Sequence, residues 1–297
     1  MTFTNTNVWR SGDFYDANVS GLTASFNTEN NDYYISGQGV LSAILESTQT
    51  SLGHTWGIEL GKQRGDFTFR AEYYEESDTY DPNDLGFLRA NNSRVAEANI
   101  GYRNFKPSFW NLNKFQSNFS VNYERLYAPN LFGGAFWNSR VVMVSKSFNA
   151  WGVNFNGALM ENNDFFEPRG QNIGEFKYIR PIWTSMGAWF SSNYQKRIAL
   201  DARLGYVDVQ RGDWWEWNYN LEFRFRLSNQ LFLLHEWEQK FQFDSEGYAV
   251  NFDDPIDSFE GILFGNRDRL TNEQSLGVDY TITNRLGMTF RLRHYNA

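Results

Sequence analysis

Cysteine is absent from the 297-residue chain. That excludes disulfides, thiolate metal sites and cysteine nucleophiles. Positive charge is short as well: 27 Lys and Arg stand against 35 Asp and Glu, a formal net charge of −8. Nucleic acid, whose phosphates call for a basic surface, is excluded as a partner. No apolar run approaches the ~20 residues of a transmembrane helix, so a helical membrane span is excluded. A membrane β-barrel is not, because only every second residue of its strands is apolar and mean hydropathy stays low. Helical periodicity is missing, and so are helix caps with amphipathic faces behind them. The opening MTFTNTNVWR has no basic n-region or apolar h-region and reads as a strand. The expectation is either a cytoplasmic protein or a fragment of a longer precursor. Histidine is scarce, with His54, His235 and His294 far apart and no HxxxH or HExxH pair among them. Ser191 and Ser192 lack a GxSxG context. A hydrolase has no nucleophile motif to stand on, and a non-enzymatic protein is expected. His54 alone is placed at an outer rim, beside a long connection.

What the chain has is aromatics, at 18%, and strict alternation. In WNYNLEFRFRL (217–227), Trp217, Tyr219, Leu221, Phe223 and Phe225 alternate with Asn218, Asn220, Glu222, Arg224 and Arg226. A strand sends successive side chains to opposite faces, so one face here is apolar and the other charged. The same pattern runs through 67–75, 115–124, 151–159, 198–206, 275–282 and 286–295. About fourteen strands of roughly 9–13 residues are predicted, near the length that crosses a bilayer at a tilt, with a further strand at 2–8. Tight turns are expected near 28–31, 63–66, 149–150, 193–196, 228–229 and 283–285, with 106–114 as the long member of that set. Long connections are expected near 47–53, 76–93, 127–135, 162–174, 209–213 and 244–270. Short and long links alternate, as in an up-and-down barrel. The short set carries Lys62, Arg64, Lys106, Lys114, Lys196, Arg197 and Arg285; the long set is rich in Asp and Glu. No linker or shift of composition marks a second domain, so residues 1–297 read as one barrel domain.

A soluble β-sandwich also alternates, but its apolar rows would meet a protein core. Here the apolar rows begin or end in Trp or Tyr, as at Trp56, Tyr73, Tyr123, Trp151, Tyr206, Trp217 and Tyr280. Such girdles mark lipid-facing strips. The polar rows carry both signs, as Arg70 and Glu72 or Glu222 and Arg224. The fold class expected is all-β, an antiparallel up-and-down transmembrane β-barrel. Phe223 and its row meet lipid; Arg224 and its row meet a hydrated interior. A count near fifteen conflicts with the even strand numbers of single-chain bacterial barrels. The chain is therefore expected to form part of a larger barrel.

Several segments are candidates for binding. Asp78, Asp81 and Asp84 share one loop, and Asp253, Asp254 and Asp257 another. Carboxylates in series suit Ca²⁺, which takes six to eight oxygens, although neither loop has EF-hand spacing. Solvated exterior loops are the plain alternative. In DPNDLGFL, Pro82 fixes φ and Asn83–Asp84 favour a turn, so Phe87 and Leu88 could tuck into the barrel mouth. Asp81, Asp84 and Phe87 are taken as ligand or partner contacts, with a structural lid as the alternative. Trp214 and Trp215, in WWEW, suit a sugar ring or the membrane interface.

The loop TYDPNDLGFL (79–88) also carries a resemblance, together with DANVSGLTASFN (16–27), YYISGQG (33–39), FGNRDRLT (264–271) and LRHYNA (292–297). In that order and over essentially the whole chain, these motifs resemble the outer-membrane β-barrel region found behind a carbohydrate-binding family-9-like domain in Gram-negative bacteria. That barrel is known as a domain of unknown function. The resemblance implies residence in the bacterial outer membrane and contact with its lipid and lipopolysaccharide. It also implies a longer protein with a sugar-binding-like module, and it suggests glycans or other envelope proteins as partners. A scaffold or accessory role in glycan handling or envelope assembly follows as the expectation. A porin-like or gated channel, and a soluble β-sandwich carbohydrate module, are the alternatives.

Overall fold

A computed structural model describes residues 1–84, 87–88, 90–167, 176–254 and 259–297, except the side chains of 250–254 and 259–260. Every regular element among them is a strand. The chain runs through β1 (Thr2–Val8), β2 (Asp16–Asn27), β3 (Tyr33–Leu45), β4 (Thr50–Lys62), β5 (Phe67–Glu76) and β6 (Ser93–Asn104). It continues through β7 (Leu112–Arg125), β8 (Phe132–Ser145), β9 (Ala150–Ala158), β10 (Asn162–Asp164), β11 (Tyr178–Arg180) and β12 (Trp183–Ser191). Last come β13 (Ile198–Val209), β14 (Trp215–Arg226), β15 (Leu231–Asp254), β16 (Phe259–Thr283) and β17 (Leu286–Asn296). Fifteen strands form one antiparallel up-and-down sheet in chain order, β10 and β11 forming a separate two-stranded ribbon. The expected strand at 2–8 is present as β1.

The chain divides into two units. The first comprises Met1–Tyr102, Asn118–Trp137 and Leu159–Arg180; the second comprises Arg103–Ser117, Asn138–Ala158 and Pro181–Ala297.

In the first unit the register puts Trp56, Ile58 and Leu60 of β4 opposite Glu75, Tyr73 and Ala71 of β5 on one face. Among the described residues nothing covers that face: Ile58 is 43% exposed and Leu60 44%. Side chains of this size carry a large transfer penalty in water, and a soluble sheet would bury them. The opposite face is cross-linked by charge. Arg70 lies 3.6 Å from Glu59 and 3.4 Å from Glu72, and it also pairs with Glu97. These groups are partly hydrated, so each pair is screened. Arg70→Met leaves three carboxylates, Glu72 on its own strand and Glu59 and Glu97 on the two neighbouring strands, without their cation. It is expected to lower stability by about 1 kcal/mol, read as a lower urea midpoint. Adding Glu97→Gln should recover part of the loss.

The second unit repeats the arrangement. In β17, Met288 (55% exposed), Phe290 (54%) and Leu292 are all uncovered. On the polar face Arg224 pairs with Glu222 at 2.6 Å and Asp201 at 3.6 Å, Lys240 with Glu216 at 2.9 Å, and Arg293 with Glu273 at 2.9 Å. Gly205 stands directly across from Asn218. A Cβ on Gly205 would lie 2.7 Å from the Asn218 amide, so the glycine makes room for that side chain. The fully buried apolar residues are few and mostly small or at strand ends, such as Ala17, Leu112, Leu126, Ala158 and Val209. Neither unit has a sandwich core. Among the described residues the apolar rows have no protein cover, as the all-β barrel reading requires.

Three expected long connections need correction. The links at 46–49 and 210–214 are short, because β4 begins at Thr50 and β14 at Trp215. The segment 244–270 is mostly strand, since β15 and β16 run for 24 and 25 residues and stay paired out to Asp254 and Phe259. Crossing a bilayer takes only about 9–11 residues. A strand longer than that need not keep an apolar face over its whole length, and the weak alternation in 244–270 makes the sequence look like a polar loop.

Candidate functional site

Two long connections of the first unit fold back over its polar face. The first, 77–92, lies across β3 and β4. Its Asp81 N–H donates to Ser42 Oγ at 3.1 Å, and Thr79 Oγ1 donates to the Leu52 carbonyl at 2.7 Å. Asn92, almost wholly buried, clamps Ala128 with two bonds of 2.7 Å: its amide donates to the Ala128 carbonyl and its Oδ1 accepts from the Ala128 N–H. Tyr80 is buried. Burial first, and the charge of Glu76 second, push its phenol above the ordinary value.

The second connection, 159–182, contains the β10–β11 ribbon. Asn162 Oδ1 accepts from the Ala135 N–H at 3.0 Å, and the Asn163 amide donates to the Phe132 carbonyl at 2.9 Å. Arg180 grips Asp164 Oδ2 through Nε at 2.9 Å and Nη2 at 2.8 Å. Burial works against the Asp164 charge. The Glu167 and Phe166 backbone N–H groups and the Arg180 guanidinium outweigh it and hold the carboxyl below its ordinary value. A depressed carboxyl stabilises the folded form above its unfolded pKa, and that stability is lost as pH falls through the lower folded value. The ribbon is expected to open below about pH 3.8, the ordinary Asp value. Faster amide exchange at 162–164 and 178–180 would report it. Asp164→Asn should show the fast exchange already at neutral pH.

Between these connections lies a cavity of about 390 Å³, with Tyr74, Glu76, Glu124, Phe136, Asn162 and Phe165 in its wall. Small-ligand sites run from ~300 to 1,000 Å³. Sequence reasoning missed this site. Its signal was nevertheless present: Glu76 and Glu124 end the polar rows of β5 and β7, where long connections begin.

The sequence candidates are placed as follows. Asp84 accepts a salt bridge from Arg10 at 2.5 Å, and Arg10 sits over the Tyr15 ring at 4.4 Å. Asp84 therefore ties the 77–92 connection to the segment before β2. The Asp81 carboxylate accepts from the Asn83 backbone N–H at 2.9 Å and its amide at 2.8 Å. Phe87 is 90% exposed, so the expected tuck into a barrel mouth is corrected: the aromatic ring stands in the open. Among the described residues no three acidic or histidine side chains gather at a metal-binding distance. Asp257 and the side chains of Asp253 and Asp254 lie outside the described residues.

Trp215 and Trp214 belong to the second unit. Trp215 stacks on Phe243 at 4.1 Å, and Trp217 meets Tyr206 at 4.8 Å, both in the apolar row. That is the placement of an interfacial girdle. Trp214 precedes β14, with its indole N–H buried and without a partner among the described residues. His54 sits near the start of β4, in the first unit, after a short link rather than the expected long one. It approaches Glu75 at 3.5 Å and the Tyr127 ring edge at 5.4 Å. Glu75 also accepts from Trp56 Nε1 at 2.9 Å, Tyr73 Oη at 2.9 Å and Arg94 Nε at 3.0 Å. This is an aromatic and basic rim, with no nucleophile in the set.

Uncovered apolar rows, charge-laced polar rows and strands ordered up and down define a barrel wall of the outer-membrane type. The chain belongs to the family designated DUF5916, a domain of unknown function, which matches residues 1–297. No curated protein matches it in sequence. It is similar in fold to the ferric enterobactin receptor PfeA of Pseudomonas aeruginosa, with a TM-score of 0.60 at 12% identity over 99% of this chain. The siderophore receptor PirA of Acinetobacter baumannii aligns with a TM-score of 0.55 at 9% identity over 97% of this chain. The chain spans about half the length of these receptors, 52% and 51% respectively. Barrels of that membrane class reach 22 strands, against the fifteen of the sheet here.

Proposed function

We propose that the chain forms wall of a Gram-negative outer-membrane β-barrel and acts without chemistry of its own, as a scaffold or accessory subunit in glycan handling or envelope assembly. The observation that supports membrane residence is the uncovered apolar row, Trp56–Ile58–Leu60 in one unit and Met288–Phe290–Leu292 in the other. The glycan part draws on the resemblance to barrels that follow a sugar-binding-like module, and lipopolysaccharide is the expected lipid neighbour. No calcium is required by this reading. The test is isolation of the native protein in detergent, followed by identification of bound glycan and envelope proteins. Recovery of the barrel alone, free of both, would remove the glycan role.

A gated passage is the second reading. The fold neighbours are receptors for siderophores, and the polar face carries both signs of charge. Ion pairs such as Arg70 with Glu72, and Arg224 with Glu222, fill space rather than form a ring of one sign. Planar-bilayer recordings are therefore expected to show no steady conductance. Stable, ion-selective openings would favour the passage.

A further inference from the structure

The cavity of the first unit contains an unmet donor. Asn162 is 3% exposed, its Oδ1 is occupied by the Ala135 N–H, and its Nδ2 has no partner among the described residues. Buried polar groups are almost always paired, and an exception calls for a reason. Glu76 and Glu124 face the same space. Other carboxylates of this face, Glu59, Glu72 and Glu97, are paired with Arg70. Glu76 is instead bonded to Ser93 and Glu124 to Asn122, both neutral. Arg180 is held by Asp164; Arg125 also lines the cavity, and its guanidinium meets the neutral Tyr123 hydroxyl and Asn130 carbonyl while its buried Nε has no partner among the described residues. The cavity thus offers two anionic acceptors, the Asn162 amide donor, the Arg125 cation and the rings of Tyr74, Phe136 and Phe165.

From this set we infer that the cavity binds a neutral or amino-bearing sugar residue. Two hydroxyl groups, or a hydroxyl and an ammonium, donate to Glu76 and Glu124. A ring or hydroxyl oxygen accepts from Asn162 Nδ2. The apolar face of the sugar lies on the aromatic wall. Anions are disfavoured, because Glu76 and Glu124 together outweigh the single cation, Arg125, that is not held by a carboxylate in the cavity wall. The inference rests on the glycan part of the proposed function and names where and what kind of glycan is held.

The test uses native protein in detergent and three trisaccharides as probes: neutral cellotriose, cationic chitosan trisaccharide and anionic trigalacturonate, with binding followed by saturation-transfer NMR and calorimetry. Cellotriose or chitosan trisaccharide is expected to bind, and trigalacturonate is not. Asn162→Asp keeps the acceptor for Ala135 but replaces the free donor, and it should weaken binding tenfold or more. Glu124→Gln keeps the shape and should weaken the chitosan trisaccharide more than cellotriose. Heat-dependent gel mobility confirms that each variant remains folded. Binding that survives both substitutions would overturn the site while leaving a glycan role in place. Preference for trigalacturonate would overturn the ligand class. Failure of the native protein to bind any glycan on a broad array would overturn the glycan role and the site with it.

Discussion

Arginine in place of Ile58 is expected to destabilise the protein by about 2–4 kcal/mol, the range for a basic side chain at the bilayer midplane. Ile58 lies midway along β4, between the aromatic rim at Trp56 and the turn after Lys62. Its register partners are Gly37 of β3 and Tyr73 of β5, and no element among the described residues covers it. If the apolar row meets lipid, a guanidinium there must be dehydrated or must pull water and headgroups inward. The control is Ser36→Arg. Ser36 pairs in register with Glu59, on the polar face of the same sheet. An arginine there stays hydrated beside a carboxylate, and roughly 0–1 kcal/mol is expected. Urea titration of both variants in lipid vesicles reads the difference directly. Equal effects at the two positions would mean that neither face meets lipid, and the barrel assignment would fall.

The same contrast explains what was legible in the sequence. A lipid-facing row must be apolar at every second position, so strands such as β4, β14 and β17 announce themselves through Ile58, Phe223 and Phe290. Girdle residues were legible for the same reason: Trp217 and Tyr206 pair in the apolar row as their spacing implied. The distal half of β15 and β16 was not legible, because its residues alternate too weakly to read as strand. The cavity was hidden for a different reason. Glu76, Glu124 and Asn162 lie far apart along the chain, and only the fold-back of two long connections gathers them. Phe87 was misplaced because turn chemistry in DPND shows that the chain bends but not which way its apolar end then points. Asp81 and Asp84 serve an Asn turn and an arginine clamp, uses that a sequence cannot separate from metal binding.

Gly53→Ala is expected to lift the 77–92 connection off the sheet at a cost of about 1–3 kcal/mol or more. Gly53 of β4 stands opposite Ser42 of β3, and the connection passes directly over it. A Cβ on Gly53 would lie 2.3 Å from the Thr79 carbonyl oxygen and 2.3 Å from Tyr80 Cα. Both are backbone atoms, so no side-chain rotation relieves the collision. The strand cannot yield either, because Gly53 is paired within the β3–β4 ladder. The connection must therefore move. It would lose the bonds from Asp81 N–H to Ser42 and from Thr79 to Leu52, and would expose Tyr80. Ser42→Ala is the milder comparison, removing one hydrogen bond worth about 1 kcal/mol. Protease cleavage within 77–92 should rise sharply in Gly53→Ala and slightly in Ser42→Ala, while both retain an SDS-resistant barrel. The Tyr80 phenol, held above its ordinary value mainly by burial, should titrate at lower pH once the connection is displaced. Comparison with Tyr80→Phe isolates that signal from the other tyrosines. Since the connection also forms one side of the cavity through Asn92, sugar binding should weaken in Gly53→Ala even though no residue proposed to touch the sugar has changed. Unchanged cleavage and unchanged titration would show that the connection is not seated on the polar face.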